Sequence, residues 1–237
     1  MPAIAQTTAA APVTQVERLR PLDFSPFEAA LASLPADRAA ATDALLRSST
    51  ILDLQKAMAD GKLSAETLTL TLLQRIRQHD GKLRAYLELN PLALDEAHHA
   101  DRLRAIGKLL GPMHGIPVSL KDNIDTAGPM HTTAGAAVLL DHVARADAPL
   151  VAQLRAAGAV ILGKGAERRC AMSFANLHSA HYATAGYPAI TVPVGLLPDG
   201  KPMGITLIGK PGGDAALLAQ AFAFEQASRL RPFPVGY

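Results

Sequence analysis

Between Asp147 and Lys164 the chain passes from a proline-led apolar stretch, through Gly158, into the run Ala159-Val160-Ile161-Leu162. Pro149 suits the first turn of a helix, where its missing N–H has no helical partner. Leu150, Val151 and Leu154 supply the apolar face, and Gly158 stops the helix. Four apolar residues directly after that stop read as a strand buried on both faces. A helix, a glycine and a buried strand in that order predict a layered α/β domain, with a mixed β-sheet flanked by helices.

The rest of the chain supports this class. Ser49 is placed to cap a helix with an apolar face of Ile51, Leu52, Leu54 and Met58, ending at Gly61. Ser64 caps a second helix bearing Leu68, Leu72 and Ile76, with Gly81 at its end. Alternation over Arg84–Glu88 and Leu89 predicts a half-buried strand, and Asn90-Pro91 opens a third helix running to about Ile106. A strand is expected around Val118–Lys121, and two more over Ala189–Val194 and Gly204–Ile208, the last two joined by a turn at Asp199-Gly200. Asp214 opens the final helix. Before residue 48, Pro2, Pro12, Pro21, Pro26 and Pro35 argue against long helices and leave room for a short one over Pro26–Leu34. The expected division is an N-terminal extension at 1–47 and one domain at 48–237. That domain divides into an N-terminal part (48–165), a divergent junction (166–184) and a C-terminal part (185–237).

Composition excludes several classes of function. A net charge of +2 with 19% charged residues gives no concentrated basic surface for nucleic acid. Aromatics total 4% and tryptophan is absent, so no base-stacking platform is expected. No apolar run reaches membrane-span length. The first residues lack the charged and apolar regions of a secretory signal, and a single cysteine, Cys170, forms no internal disulfide. The expected location is the cytoplasm.

The segment Gly111-Pro112-Met113-His114-Gly115-Ile116-Pro117-Val118-Ser119-Leu120-Lys121-Asp122-Asn123-Ile124 resembles the lysine-bearing strand of amidase-signature enzymes, nearest in look to bacterial amidases and peptide amidases. Ser49–Ile76 is similar to the family's opening helix pair, and Asp147–Lys164 to the helix and strand after the lysine. Ala185-Gly186-Tyr187-Pro188-Ala189-Ile190-Thr191-Val192-Pro193-Val194-Gly195, Gly204–Gly209 and the last helix are similar to the family's C-terminal end. The resemblance implies hydrolysis of carboxylic amide C–N bonds by a Ser–cis-Ser–Lys triad, without cofactor or metal. A serine hydroxyl is a weak nucleophile and needs a base. Lysine serves when burial disfavours its ammonium. The resemblance places that base at Lys121.

The chain departs from the family where the nucleophile belongs. Gly163-Lys164 is followed by Gly165-Ala166-Glu167-Arg168-Arg169-Cys170, and by Ala185 the C-terminal motif has begun. No Gly-Ser-Ser-x-Gly-Ser run occurs, so the arrangement is truncated internally and impaired activity is expected. The alternatives are a non-catalytic amidase-like binding or assembly partner, or a relocated nucleophile at Cys170 or Ser173. A relocated thiol needs a lowered pKa and a neighbouring base; otherwise Cys170 is a small inert residue. The substrate, if the chain is active, is a small-molecule or peptide amide. Loss of central strands would expose sheet edges, which favours self-association or a partner chain.

Other candidates read as structural. His98-His99 are adjacent on a helix and point about 100° apart, a poor metal pair. His114 is expected to support its loop, and His131 to flank the lysine strand. His178 and His181 lack a partner at ligand spacing. Lys210-Pro211-Gly212-Gly213-Asp214 reads as a loop and cap. Asp95, Glu96 and Asp101 read as a solvated helix face with Arg102 and Arg104.

Overall fold

The computed structural model of the protein describes residues 21–165, 187–198 and 202–230. The chain divides into two compact units, Met1–Arg168 and Arg169–Tyr237.

The first unit begins with a single 3-10 turn, Ser25–Phe27, and the short helix α1 (Glu28–Ser33). The helix α2 (Ala36–Ser48) follows. Its 13 residues were not expected from the prolines before residue 48, but the last of these, Pro35, sits at the N-cap and leaves the helix interior proline-free. Helix α3 (Ile51–Ala59) starts one residue later than Ser49 would set it. Thr50 and Asp53 form a reciprocal capping box, while Ser49 closes α2. Leu54 and Met58 are buried, whereas Ile51 and Leu52 face solvent.

Helix α4 (Ala65–Leu83) is capped by Ser64, which accepts from the Thr67 N–H. It runs through Gly81 and ends at Arg84, whose φ of 49° is left-handed. Strand β1 (Tyr86–Leu89) and helix α5 (Ala93–Ala105) follow. Strand β2 (Pro117–Lys121), helix α6 (Pro149–Ala156) and strand β3 (Val160–Gly165) complete the unit. The sheet order is β1-β3-β2, with β1 antiparallel and β2 parallel to β3. The fold is therefore a mixed sheet flanked by helices. A parallel pair needs a crossover, and α6 lies within it.

Both faces of β3 are covered. Val160 and Leu162 join Phe27, Leu73, Ile76, Leu89, Ala93 and Ala97 in one core. Ile161 joins Leu120, Met130 and Val151 in another. The register of β3 against β2 shifts between Val118 and Ser119, and that against β1 shifts between Tyr86 and Glu88. Such irregularities reverse the face to which later residues point. Ile161 pairs with Val118 and, past the shift, Lys164 pairs with Leu120. Lys164 thus turns to the Ile161–Leu120 side and not to that of Leu162.

On the face of α5 expected to be solvated, Asp95 and Arg102 are exposed, while Glu96, Asp101 and Arg104 are half-buried and hydrogen-bonded to other elements. Asp101 accepts from the N–H groups of Ala65 (2.8 Å) and Glu66 (3.0 Å), capping α4 from outside that helix. Glu96 accepts from the Ile161 N–H (2.8 Å) and the Arg155 guanidinium (2.7 Å). Arg104 donates to Gln55 (2.8 Å) and to the His114 carbonyl (3.0 Å).

In the second unit, β4 (Ala189–Leu196) pairs antiparallel with β5 (Pro202–Ile208). Helix α7 (Asp214–Ser228) buries Leu217 and Ala221. Gly213 is its N-cap, as a plain loop and cap requires. The Asp199-Gly200 turn lies outside the described residues.

Candidate functional site

Lys121 is the last residue of β2 and lies opposite Gly165 of β3. Alternation places Ser119 and Lys121 on one exposed face and Leu120, which is 3% exposed, on the other. Tyr86 of β1 also pairs with Gly165, and its hydroxyl shares a short hydrogen bond with the Ser119 hydroxyl. Burial pushes the Tyr86 phenol pKa up, opposed by that hydrogen bond, so the group is a neutral phenol at ordinary pH.

Asp122, buried beside Lys121, anchors the loop that follows. Its carboxylate accepts from the Thr133 N–H (3.2 Å), the Thr133 hydroxyl and the Gly135 N–H (3.4 Å). Its own N–H donates to the Gly165 carbonyl at 3.2 Å. Lys164 lies behind this loop and is fully buried. Its ammonium donates to the Ile124 carbonyl and to the Thr132 hydroxyl (3.0 Å). Desolvation holds the Lys164 pKa below the ordinary lysine value, against the opposing pull of Asp122, Asp125, Glu88 and Asp147. Sequence reasoning treated Lys164 only as part of a motif. A lysine closing a wholly apolar strand was the available sign.

A pH dependence follows from the sign of this shift. Between the lowered folded pKa and the unfolded value of about 10.4, the unfolded chain binds more protons at Lys164. Stability carried by this group therefore rises with pH across that window and levels off above it. Urea unfolding of the wild type and of Lys164→Met should give a free-energy difference that moves in favour of the wild type as pH rises through the window. A difference that stays flat would mean that Lys164 has the same pKa folded and unfolded.

The two histidines near the lysine strand are accounted for by protein partners. Fully buried His114 receives the Leu110 N–H at Nδ1 (3.3 Å), which leaves Nε2–H to donate to the Ala100 carbonyl (2.9 Å). His131 meets Glu88 through its ring (3.0 Å) and its backbone N–H (2.7 Å). His98 pairs with Glu66 at 3.1 Å. Among the described residues no three His, Cys, Asp or Glu side chains gather as a metal site. Cys170, Ser173, Ser179, Tyr182, Thr184, His178 and His181 lie outside the described residues.

The described residues thus give a mixed α/β sheet whose parallel strand ends in an exposed lysine, next to an aspartate-anchored loop. The family model described as Amidase matches residues 67–184. A glutamyl-tRNA(Gln) amidotransferase component from Moorella thermoacetica is 40% identical over 124 residues, 52% of this chain and 25% of that protein. The solved amidase family protein of Bacillus anthracis is 38% identical, with a TM-score of 0.55 over 60% of this chain and 28% of the other. The native peptide amidase of Stenotrophomonas maltophilia is 51% identical over 49% of this chain and 24% of its own, with a TM-score of 0.47. This chain belongs to the amidase family. It spans about a quarter of the length of that curated amidotransferase relative (25%). Among the described residues no helix is long and apolar enough to cross a membrane.

Proposed function

We propose that the chain derives from a hydrolase of carboxylic amide C–N bonds, that Lys121 occupies the base position, and that the chain as it stands turns over amides poorly. The observation that carries this reading is the placement of Lys121. It ends a strand with its side chain exposed, next to a loop anchored by its neighbour Asp122. A base needs a nucleophile within hydrogen-bond reach. The Gly-Ser-Ser-x-Gly-Ser run that supplies it in relatives is not in the sequence. The substrate class is a small-molecule or peptide amide, with no cofactor, and the proposed location is the cytoplasm. The outer edges of β1 and β2, which carry no strand partner among the described residues, are the proposed places for a second chain to add.

The test is hydrolysis of a simple aryl amide by the purified protein beside Lys121→Ala. The variant should fold as the wild type does, within about 0.5 kcal/mol, because Lys121 lies at the surface. Turnover by the two proteins should be equally close to background. Turnover by the wild type that disappears in Lys121→Ala would establish a nucleophile and overturn the impaired reading. Turnover retained in Lys121→Ala would remove Lys121 from the base position.

A further inference from the structure

We propose that Lys164 is a positioning residue: its buried ammonium pins both limbs of the loop 122–135 to the end of β3, and the placement of Lys121 depends on that pin. The geometry has three parts. First, the register irregularity turns Lys164 to the inner side of the sheet, in line with Leu120 on one neighbour and Glu88 on the other. Second, its two described acceptors belong to opposite limbs of one loop. Ile124 lies just after Asp122, and Thr132 just before Thr133. Third, the Asp122 carboxylate closes the same loop from the other side through Thr133 and Gly135. Lys164 and Asp122 are thus two clamps on one loop base. Asp122 is covalently next to Lys121, and its N–H is tied to Gly165, the residue after Lys164.

Lysine suits this position for a specific reason. The ammonium has three donors, and the neutral amine still has two, enough for the Ile124 carbonyl and the Thr132 hydroxyl. The pin therefore survives loss of the proton. An apolar side chain of similar length would fill the space but take a donor from the buried Thr132 hydroxyl and leave the Ile124 carbonyl with only the Thr126 hydroxyl (3.1 Å). A buried polar group that loses its partner costs more than the hydrogen bond was worth. Four carboxylates, Asp122, Asp125, Glu88 and Asp147, lie near enough to offset part of the buried charge.

Hydrogen exchange tests the pin without reference to activity. In Lys164→Met, exchange at the Thr133 and Gly135 amides should rise about tenfold, the equivalent of one lost clamp, while α4 amides from Leu68 to Ile76 keep their protection. Thr132→Val, which removes one acceptor and no charge, should give the same pattern at smaller amplitude and remains informative if Lys164→Met does not fold. Rescue separates donor from bulk. In a Cys170→Ser background, Lys164→Cys alkylated with bromoethylamine restores an ammonium of lysine length and should restore slow exchange, whereas the unalkylated cysteine should not. Unchanged loop exchange in folded Lys164→Met, or exchange rising evenly through α4 and the loop together, would overturn the pin. The link to Lys121 rests on reading that residue as the base position and is read separately. After reductive ¹³C-methylation, the dimethyl-lysine resonance that disappears in Lys121→Ala should shift in Lys164→Met. Its staying in place while the loop loosens would overturn the positioning of Lys121, whatever the aryl amide assay returns.

Discussion

Phe27→Ala should lower the unfolding free energy of the first unit by about 3–5 kcal/mol, the range for deleting a buried aromatic ring. Phe27 has no exposed surface and belongs to the same core as Leu73 and Ile76 of α4 and Leu162 of β3. Leu22, Phe24 and Leu31 are only partly buried against that core, and the loss lies lower in the range the further they can shift into the space left by alanine. The ties flanking it are weak replacements. Arg77 meets Glu28 at 2.9 Å with both groups half in solvent, a pair worth less than about 1 kcal/mol. Arg77 also lies 5.8 Å from the Phe24 ring centre, a contact of about 0.5–1 kcal/mol at an exposed site. Since whole domains are stable by only about 5–15 kcal/mol, the substitution would remove a large share of the total. Urea unfolding monitored by far-ultraviolet circular dichroism measures the loss. A loss under about 1 kcal/mol would mean that the segment before residue 48 is an undocked extension after all.

The same segment shows where the sequence was legible and where it was not. The alternation before Leu89, the apolar run at Ala159–Leu162 and the strand at Val118–Lys121 all became the expected strands. Their patterns are set by burial on one or both faces, which a single sequence records. Docking is not recorded in that way. Phe27 follows a proline in a short proline-punctuated stretch without a sustained periodic pattern, and only tertiary contact with α4 and β3 makes it core. Likewise, Asp101 and Glu96 have the spacing of a solvated helix face, but they accept backbone N–H groups from α4 and β3. Those donors are distant in sequence, so no local pattern names them. At the candidate site the lysine-bearing strand was readable from its motif. Lys164 was not, because simple alternation puts it on the Leu162 face, and the register irregularity that reverses it depends on how three strands pair.

Gly163→Ala should cost about 3 kcal/mol or more, at or above the usual upper end for overpacking, because the obstruction is backbone. A Cβ at this position would overlap the Glu88 carbonyl oxygen and sit 3.1 Å from Leu89 Cα. Neither belongs to a side chain that can rotate away, and both lie on β1, which is hydrogen-bonded to β3 in this register. Relief would require β1 to move outward from the central strand. That would disturb the Asn90 N–H bond to Leu162 (3.0 Å) and the Glu88 contact with His131. Gly165→Ala provides the comparison within the same strand. Among the described residues its added Cβ would meet nothing closer than the Leu120 carbonyl oxygen at 3.5 Å, an ordinary contact. Gly165 has no left-handed φ to forbid alanine, and the substitution removes freedom from the unfolded chain, so stability should stay level or rise by up to about 1 kcal/mol. The paired measurement separates a close approach of two backbones from a general intolerance of side chains in β3. Equal losses at the two positions would contradict the tight β1–β3 approach that this register requires. A large loss at 163 alone would tie the glycine to that approach, and with it the line of Glu88, Lys164 and Leu120 that supports the loop beside Lys121.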